Sequence, residues 1–75
     1  MKKSTIDRIV QNTLLWCDRM RKVPYTVIGK YAYRYDWMEK TIERCSLDSL
    51  GRQWIEDDGT LTDEWQVIAT DIYPA

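Results

Sequence analysis

Residues 25–37 alternate between apolar and mostly polar positions. The segment reads YTVIGKYAYRYDW, and its odd positions hold only apolar residues, aromatic residues or glycine. Because successive side chains of a strand point to opposite faces, this period of two predicts extended backbone with one aromatic face. Gly29 interrupts the pattern and predicts either two short strands or one strand followed by a helical turn over residues 30–34.

The aromatic face of this segment has two interpretations. Tyr31, Tyr33 and Tyr35 either pack in the core or form a contact surface, whereas Tyr25 and Val27 are expected to serve the core. A chain of 75 residues with four Trp and five Tyr cannot easily bury every ring. The sequence therefore leaves the role of the three later tyrosines open.

The segment before the aromatic stripe has the period of an α-helix. Its apolar face collects Ile6, Ile9, Val10, Thr13, Leu14, Cys17 and Met20. Ser4 followed by Asp7 resembles a capping box, and Pro24 restricts the residue before it, so a helix is predicted over residues 5–22.

A second helix is predicted over residues 37–50. Asp36 has the position of an N-cap with Glu39 three residues later, and Gly51 has the position of a C-terminal glycine. Met38, Ile42 and Cys45 recur at intervals of four and three residues, which gives this segment a narrow apolar stripe.

The C-terminal third contains a strong turn signal. Asp58-Gly59 between two apolar segments predicts a β-hairpin. Residues 64–73 fit both a strand and a helix, and the β-branched residues Val67, Ile68 and Ile72 favour the strand.

These elements predict a single α+β domain over residues 1–75. Their order is helix, strand, helix and β-hairpin, with a two- or three-stranded antiparallel sheet. The start, MKKSTID, lacks the apolar region of a leader, and no run approaches the roughly 18 residues that span a bilayer. A cytoplasmic protein without a membrane segment is therefore expected.

The residue types argue against catalysis and against a metal or cofactor. The chain has no histidine, no phosphate-binding glycine loop, and no Ser or Cys beside an evident base, so a non-enzymatic protein is expected. The acidic residues do not have the spacing of a calcium loop. Cys17 and Cys45 lack zinc-site spacing and are expected to be a buried, reduced pair.

The charges divide the chain into two halves. Residues 1–45 carry ten Lys or Arg against five acids, whereas residues 46–75 carry one Arg against seven acids. The acidic half also contains two tryptophans. The first hypothesis is that the chain is an inhibitor or adaptor of the small accessory type found in phages. It would bind a larger basic protein, for example one that itself binds nucleic acid. The sequence does not decide whether the chain forms a homodimer. Its contact residues would be Trp54, Glu56, Asp57, Asp58, Asp63, Glu64 and Trp65.

The alternative hypothesis uses the basic half to bind nucleic acid directly. Cations would neutralise phosphates while aromatic rings stack on bases. The residues are Lys30, Arg34, Tyr33, Tyr35, Lys40 and Arg44. The order of elements, with LDSLGRQWIEDDG leading from a helix through glycine into a hairpin, resembles a small winged helix. That resemblance implies a recognition helix over residues 36–44 and a wing, but this wing carries Glu56, Asp57 and Asp58, which repel phosphates.

Overall fold

One α-helix and four β-strands make up the part of the chain that the structure describes. It is a computed structural model and describes residues 1–47 and 65–74. The elements are α1 (Lys3–Cys17), β1 (Thr26–Ile28), β2 (Tyr31–Asp36), β3 (Thr41–Ser46) and β4 (Gln66–Ala69). The strands form one antiparallel sheet in the order β1-β2-β3-β4. The prediction of a small α+β domain is confirmed, whereas the helix-strand-helix order and the winged-helix arrangement are not. Over the described residues, the sheet has four strands and not the predicted two or three. The predicted hairpin at Asp58-Gly59 lies outside the described residues.

Helix α1 is amphipathic as predicted but has different ends. Its N-cap is Lys2, without a side-chain capping hydrogen bond, so the predicted capping box does not form. At the other end Arg19 adopts a φ of 62°. The Arg19 N–H donates to Trp16 C=O at 2.9 Å and the Met20 N–H to Leu15 C=O at 2.7 Å, which is the Schellman pattern. This turn ends the helix well before Pro24.

A two-residue turn at Gly29-Lys30 joins β1 to β2. Ile28 pairs with Tyr31, and Gly29 has a φ of 62°, the left-handed value that a tight hairpin requires of its first turn residue. Val27 pairs with Ala32, so the even positions of β1 share a face with the odd positions of β2. Val27 is consequently 50% exposed, and its predicted place in the core is wrong.

Residues 37–40 form the turn between β2 and β3. Asp36 Oδ1 accepts the Met38 N–H at 3.0 Å and the Glu39 N–H at 3.1 Å, as an N-cap carboxylate would. Lys40 then takes a φ of 60°, and Thr41 enters β3 opposite Asp36. The predicted helix over 37–50 is therefore wrong for residues 37–47, because the β-branched pair at 41–42 continues as a strand. Residues 48–50 lie outside the described part.

Strand β4 pairs with β3 across a β-bulge between Ile42 and Glu43. The strand interpretation of the C-terminal segment is confirmed over Gln66–Ala69. Beyond β4, the Ile72 N–H donates to Lys40 C=O at 2.9 Å, and Tyr35 Oη donates to Ile72 C=O at 2.7 Å. Two hydrogen bonds thus fix this end of the described chain to β2 and to the β2–β3 turn.

The core lies between α1 and one face of the sheet. Its buried residues are Ile9, Val10, Tyr33, Tyr35 and Ile42, with Ile6, Leu14, Ile28, Tyr31, Ala69 and Ile72 packed around them. Tyr33 and Tyr35 are only 9% and 2% exposed, which assigns these two rings to the core. Tyr31 is half-buried at its border.

Candidate functional site

Of the predicted acidic contact set, only Trp65 lies within the described residues. The other six, Trp54, Glu56, Asp57, Asp58, Asp63 and Glu64, lie outside them. The Arg34 guanidinium stands 4.3 Å from the centre of the Trp65 ring, and the buried indole N–H has no hydrogen-bond partner among the residues that the structure describes. Trp65 is half-buried and engaged within the domain by a cation–π contact.

The structure disperses the six residues of the predicted nucleic-acid site. Tyr33 and Tyr35 lie beneath α1, so their rings are not available to stack on bases. Lys30 lies in the β1–β2 turn and Lys40 in the β2–β3 turn, separated by a six-residue strand of about 20 Å.

The two arginines of that set make contacts within the domain. Arg34 Nε donates to Glu43 Oε1 at 3.0 Å, on the sheet face turned away from α1. The Arg44 guanidinium stands 4.2 Å from the centre of the Tyr31 ring. The six side chains therefore do not form one continuous surface.

A cleft opens instead where β2 extends beyond the short strand β1. We call it the Trp16–Trp37 cleft; it has a volume of about 210 Å³. The described residues that line it are Thr13, Trp16, Pro24, Arg34, Tyr35, Asp36, Trp37, Met38 and Glu43. Because β1 begins only at Thr26, the end of β2 lies between α1 and the β2–β3 turn without a neighbouring strand on that side.

The Thr13 hydroxyl connects the three segments that meet at this cleft. The β1–β2 register, continued by two residues, places Pro24 opposite Tyr35. The Tyr35 N–H donates to Thr13 Oγ1 at 3.1 Å, and Thr13 Oγ1 donates to Pro24 C=O at 2.6 Å. A buried side chain of α1 thereby replaces a direct hydrogen bond between the two backbones at the cleft.

Two large apolar side chains stand at the mouth of the cleft. Trp37 is 53% exposed and Met38 is 75% exposed. Both follow Asp36, whose carboxylate fixes the backbone of their turn. The sequence interpretation missed this site because it assigned Trp37 and Met38 to a helix. Their position directly after a strand ending in Asp was the signal that could have located them in a turn.

Three charged side chains are among the described residues that line the cleft: Arg34, Asp36 and Glu43. Glu43 is paired with Arg34, whereas Asp36 directs one of its two oxygens to backbone N–H groups. Among the described lining residues there is therefore one arginine against two carboxylates. Burial raises the pKa of the Tyr35 phenol, with smaller contributions from Tyr73 and Asp36, so this hydroxyl stays protonated and donates to Ile72.

The described residues contain other candidate features. A second cavity, of about 350 Å³, lies beside Trp16, Cys17, Arg19 and Arg21. Cys17 is exposed and Cys45 is buried, and both are free thiols, so the expectation of a buried pair is wrong for Cys17.

No group of three metal-binding side chains occurs in residues 1–47 and 65–74. Over the same ranges, no helix has the length and apolar character to cross a bilayer.

Comparisons with protein-family models, with curated proteins and with solved structures give no match to this chain. The Trp16–Trp37 cleft and the residues around it are therefore the basis for assigning a function. Its lining combines exposed apolar groups, a fixed turn and an excess of carboxylates.

Proposed function

We propose that this chain is a small non-enzymatic binding protein, an inhibitor or adaptor, that docks a partner protein at the Trp16–Trp37 cleft. The observation that carries this proposal is the exposure of Trp37 and Met38 on a turn that Asp36 holds in place. Tryptophan and methionine are enriched at protein interfaces, where a few buried anchors supply most of the binding energy.

The rigidity of the turn supports a role in recognition. An anchor that is already fixed loses less conformational entropy on binding than one on a mobile segment. The turn backbone that carries Trp37 is held by the Met38 and Glu39 N–H groups, which donate to Asp36 Oδ1, and by the pairing of Asp36 with Thr41. Trp16 of α1 lines the same cleft, so aromatic side chains from two elements are available to a partner there.

A protein partner agrees better with the geometry than nucleic acid does. Two of the rings expected to stack on bases are in the core, and the Arg34 and Arg44 guanidinium groups contact Glu43, Trp65 and Tyr31 within the domain. The apolar mouth of the cleft offers contact area to a protein surface without needing a continuous basic stripe.

Photo-cross-linking tests the proposal at a single position. Trp37 is replaced by p-benzoylphenylalanine, and Val27 is replaced in a matched control, because Val27 is 50% exposed but belongs to β1. In a lysate of the native host, position 37 should form a discrete protein adduct that position 27 does not form. Excess wild-type chain should suppress this adduct, whereas excess Trp37→Ala chain should not.

Two outcomes would overturn the proposal. One is the same set of adducts, or none, from both positions. The other is an adduct that nuclease removes and that weakens with salt and with Lys40→Ala and Arg44→Ala, which would favour the nucleic-acid hypothesis.

A further inference from the structure

We infer that the occupant of the Trp16–Trp37 cleft is a lysine or arginine side chain of the partner protein. This inference rests on the proposed function and specifies the chemistry of the bound group. It joins three properties of the cleft: its indole walls, its excess of carboxylates and its small volume.

The indole walls suit a cation. A Lys or Arg head group is attracted to the face of a tryptophan ring within about 6 Å of its centre, and tryptophan is the best of the aromatic residues for this contact. Trp16 and Trp37 both line the cleft, from α1 and from the β2–β3 turn. Arg34 and Arg44 already make contacts of this type inside the domain, at 4.3 and 4.2 Å from ring centres.

The carboxylates select the sign of the occupant. Glu43 balances Arg34 through their 3.0 Å contact, which leaves the charge of Asp36 without a balancing cation among the described lining residues. Asp36 Oδ1 accepts the backbone N–H groups of Met38 and Glu39. A bound cation would balance the charge of Asp36 in the cleft lining.

The volume of the cleft is suited to a single side chain. Small-molecule sites typically enclose about 300–1,000 Å³, and this cleft has about 210 Å³. Met38, 75% exposed beside Trp37, provides apolar surface for the methylene stem of a lysine or arginine.

A pair of matched probes tests the inference. N-acetyl-lysine methylamide carries the ammonium group, and the same compound acetylated on the side chain has nearly the same shape without the charge. Each is titrated into the ¹⁵N-labelled protein, and the indole N–H signals are followed by NMR. The cationic probe should shift the Trp16 and Trp37 signals in a saturable way without shifting Trp65, and the neutral probe should not.

Two variants separate the charge from the ring. Asp36→Asn keeps an oxygen for the two turn hydrogen bonds but removes the charge, and should weaken the cationic probe about threefold. Trp37→Ala should weaken it at least about threefold through loss of the cation–π contact. Val67→Ala, at an equally exposed apolar site on β4, should leave the affinity unchanged.

Equal shifts with both probes, no shifts with either, or unchanged affinity in Asp36→Asn would overturn the inference. These results are distinguishable from failure of the proposed function, because the cross-link at position 37 is measured independently. If position 37 cross-links to a partner but the cationic probe does not bind the cleft, the protein-binding function is retained. Only the inference that the bound group is a lysine or arginine side chain is then rejected.

Discussion

Thr13 is a residue whose small polar group determines how three segments fit together. It lies on the buried face of α1, where an aliphatic side chain would be the usual choice. Its hydroxyl instead accepts the Tyr35 N–H and donates to the Pro24 C=O. Both backbone groups would otherwise lack a partner at the point where β1 has not yet begun, so the hydroxyl performs the role of a bridging water.

Replacing Thr13 by Val tests this role, since the two side chains have nearly the same shape. The change leaves a buried donor and a buried acceptor unpaired, and we expect the free energy of unfolding to fall by about 1–3 kcal/mol. Urea denaturation measures the loss. Thr13→Ser keeps the hydroxyl and should lose clearly less; equal losses in both variants would contradict the bridging role.

Asp36 illustrates how a correct local signal led to a wrong element. The residue accepts backbone N–H groups two and three positions later, which is what the sequence predicted of an N-cap. The same hydrogen bonds also close an Asx-type turn, and the local sequence does not distinguish the two outcomes. The turn forms instead of a helix because Thr41 and Ile42 of β3 pair with Asp36 and Tyr35 of β2.

Gly29 explains why the aromatic stripe was only partly predictable. The sequence showed one period of two from residue 25 to residue 37, and a glycine within it that predicted a bend. A turn of two residues changes the parity of the positions that share a face, so Val27 faces away from Tyr31 and Tyr33. Tyr33 and Tyr35 therefore lie in the core and Val27 does not. Which positions of the two strands share a face depends on the length of the turn, and the residue composition does not determine that length.

The turn at Gly29 gives a prediction for the first hairpin. A Cβ at this position would meet no atom within 4 Å, so the cost of Gly29→Ala arises from the backbone φ of 62° alone. We expect a loss of about 1–2 kcal/mol in the free energy of unfolding. Gly29→Asn should lose less, because asparagine tolerates the left-handed region better than alanine does. Thermal denaturation of the two variants checks the order, and an unchanged stability in Gly29→Ala would refute this account.

At the scale of the whole molecule, the amphipathic helix, the α+β class and the strand nature of residues 66–69 could be predicted from periodicity and β-branched content. The candidate site could not. The Trp16–Trp37 cleft joins residues from α1, the segment before β1, β2, the turn and β3, and it exists because β1 is shorter than β2. Strand lengths and strand pairing depend on the tertiary structure. The sequence therefore did not predict that Trp16 and Trp37 line the same cleft.

The pH dependence of stability in alkaline solution tests the hydrogen bond between Tyr35 in the core and Ile72 near the end of the described chain. Burial raises the pKa of Tyr35 above its ordinary value of 10.0, and its hydroxyl donates to Ile72. The native state therefore holds this proton more tightly than the unfolded state does. The resulting stabilisation is fully present below about pH 10 and is lost as the pH rises further.

We expect urea denaturation to show a fall in stability between pH 9.5 and about pH 11 that is smaller in Tyr35→Phe. At pH 8 the variant should itself be less stable by about 1 kcal/mol, since it lacks the hydrogen bond to Ile72. Burial also raises the pKa of the Cys45 thiol, whose contribution is lost in the same direction from about pH 9. If the free energy of unfolding fell equally with pH in the wild type and in Tyr35→Phe, the stabilising role of the protonated Tyr35 hydroxyl would be contradicted.

The attachment of Ile72 also constrains when the domain can fold during synthesis. Hairpins β1–β2 and β2–β3 need only neighbouring residues and can form as soon as they leave the ribosome. Strand β4 and Ile72 cover Ile42 and Tyr35 only after some 25 further residues have been added, on the order of seconds at normal elongation rates. A nascent chain that has emerged only as far as Ser46 therefore lacks the groups that cover Ile42 and Tyr35 in the folded domain.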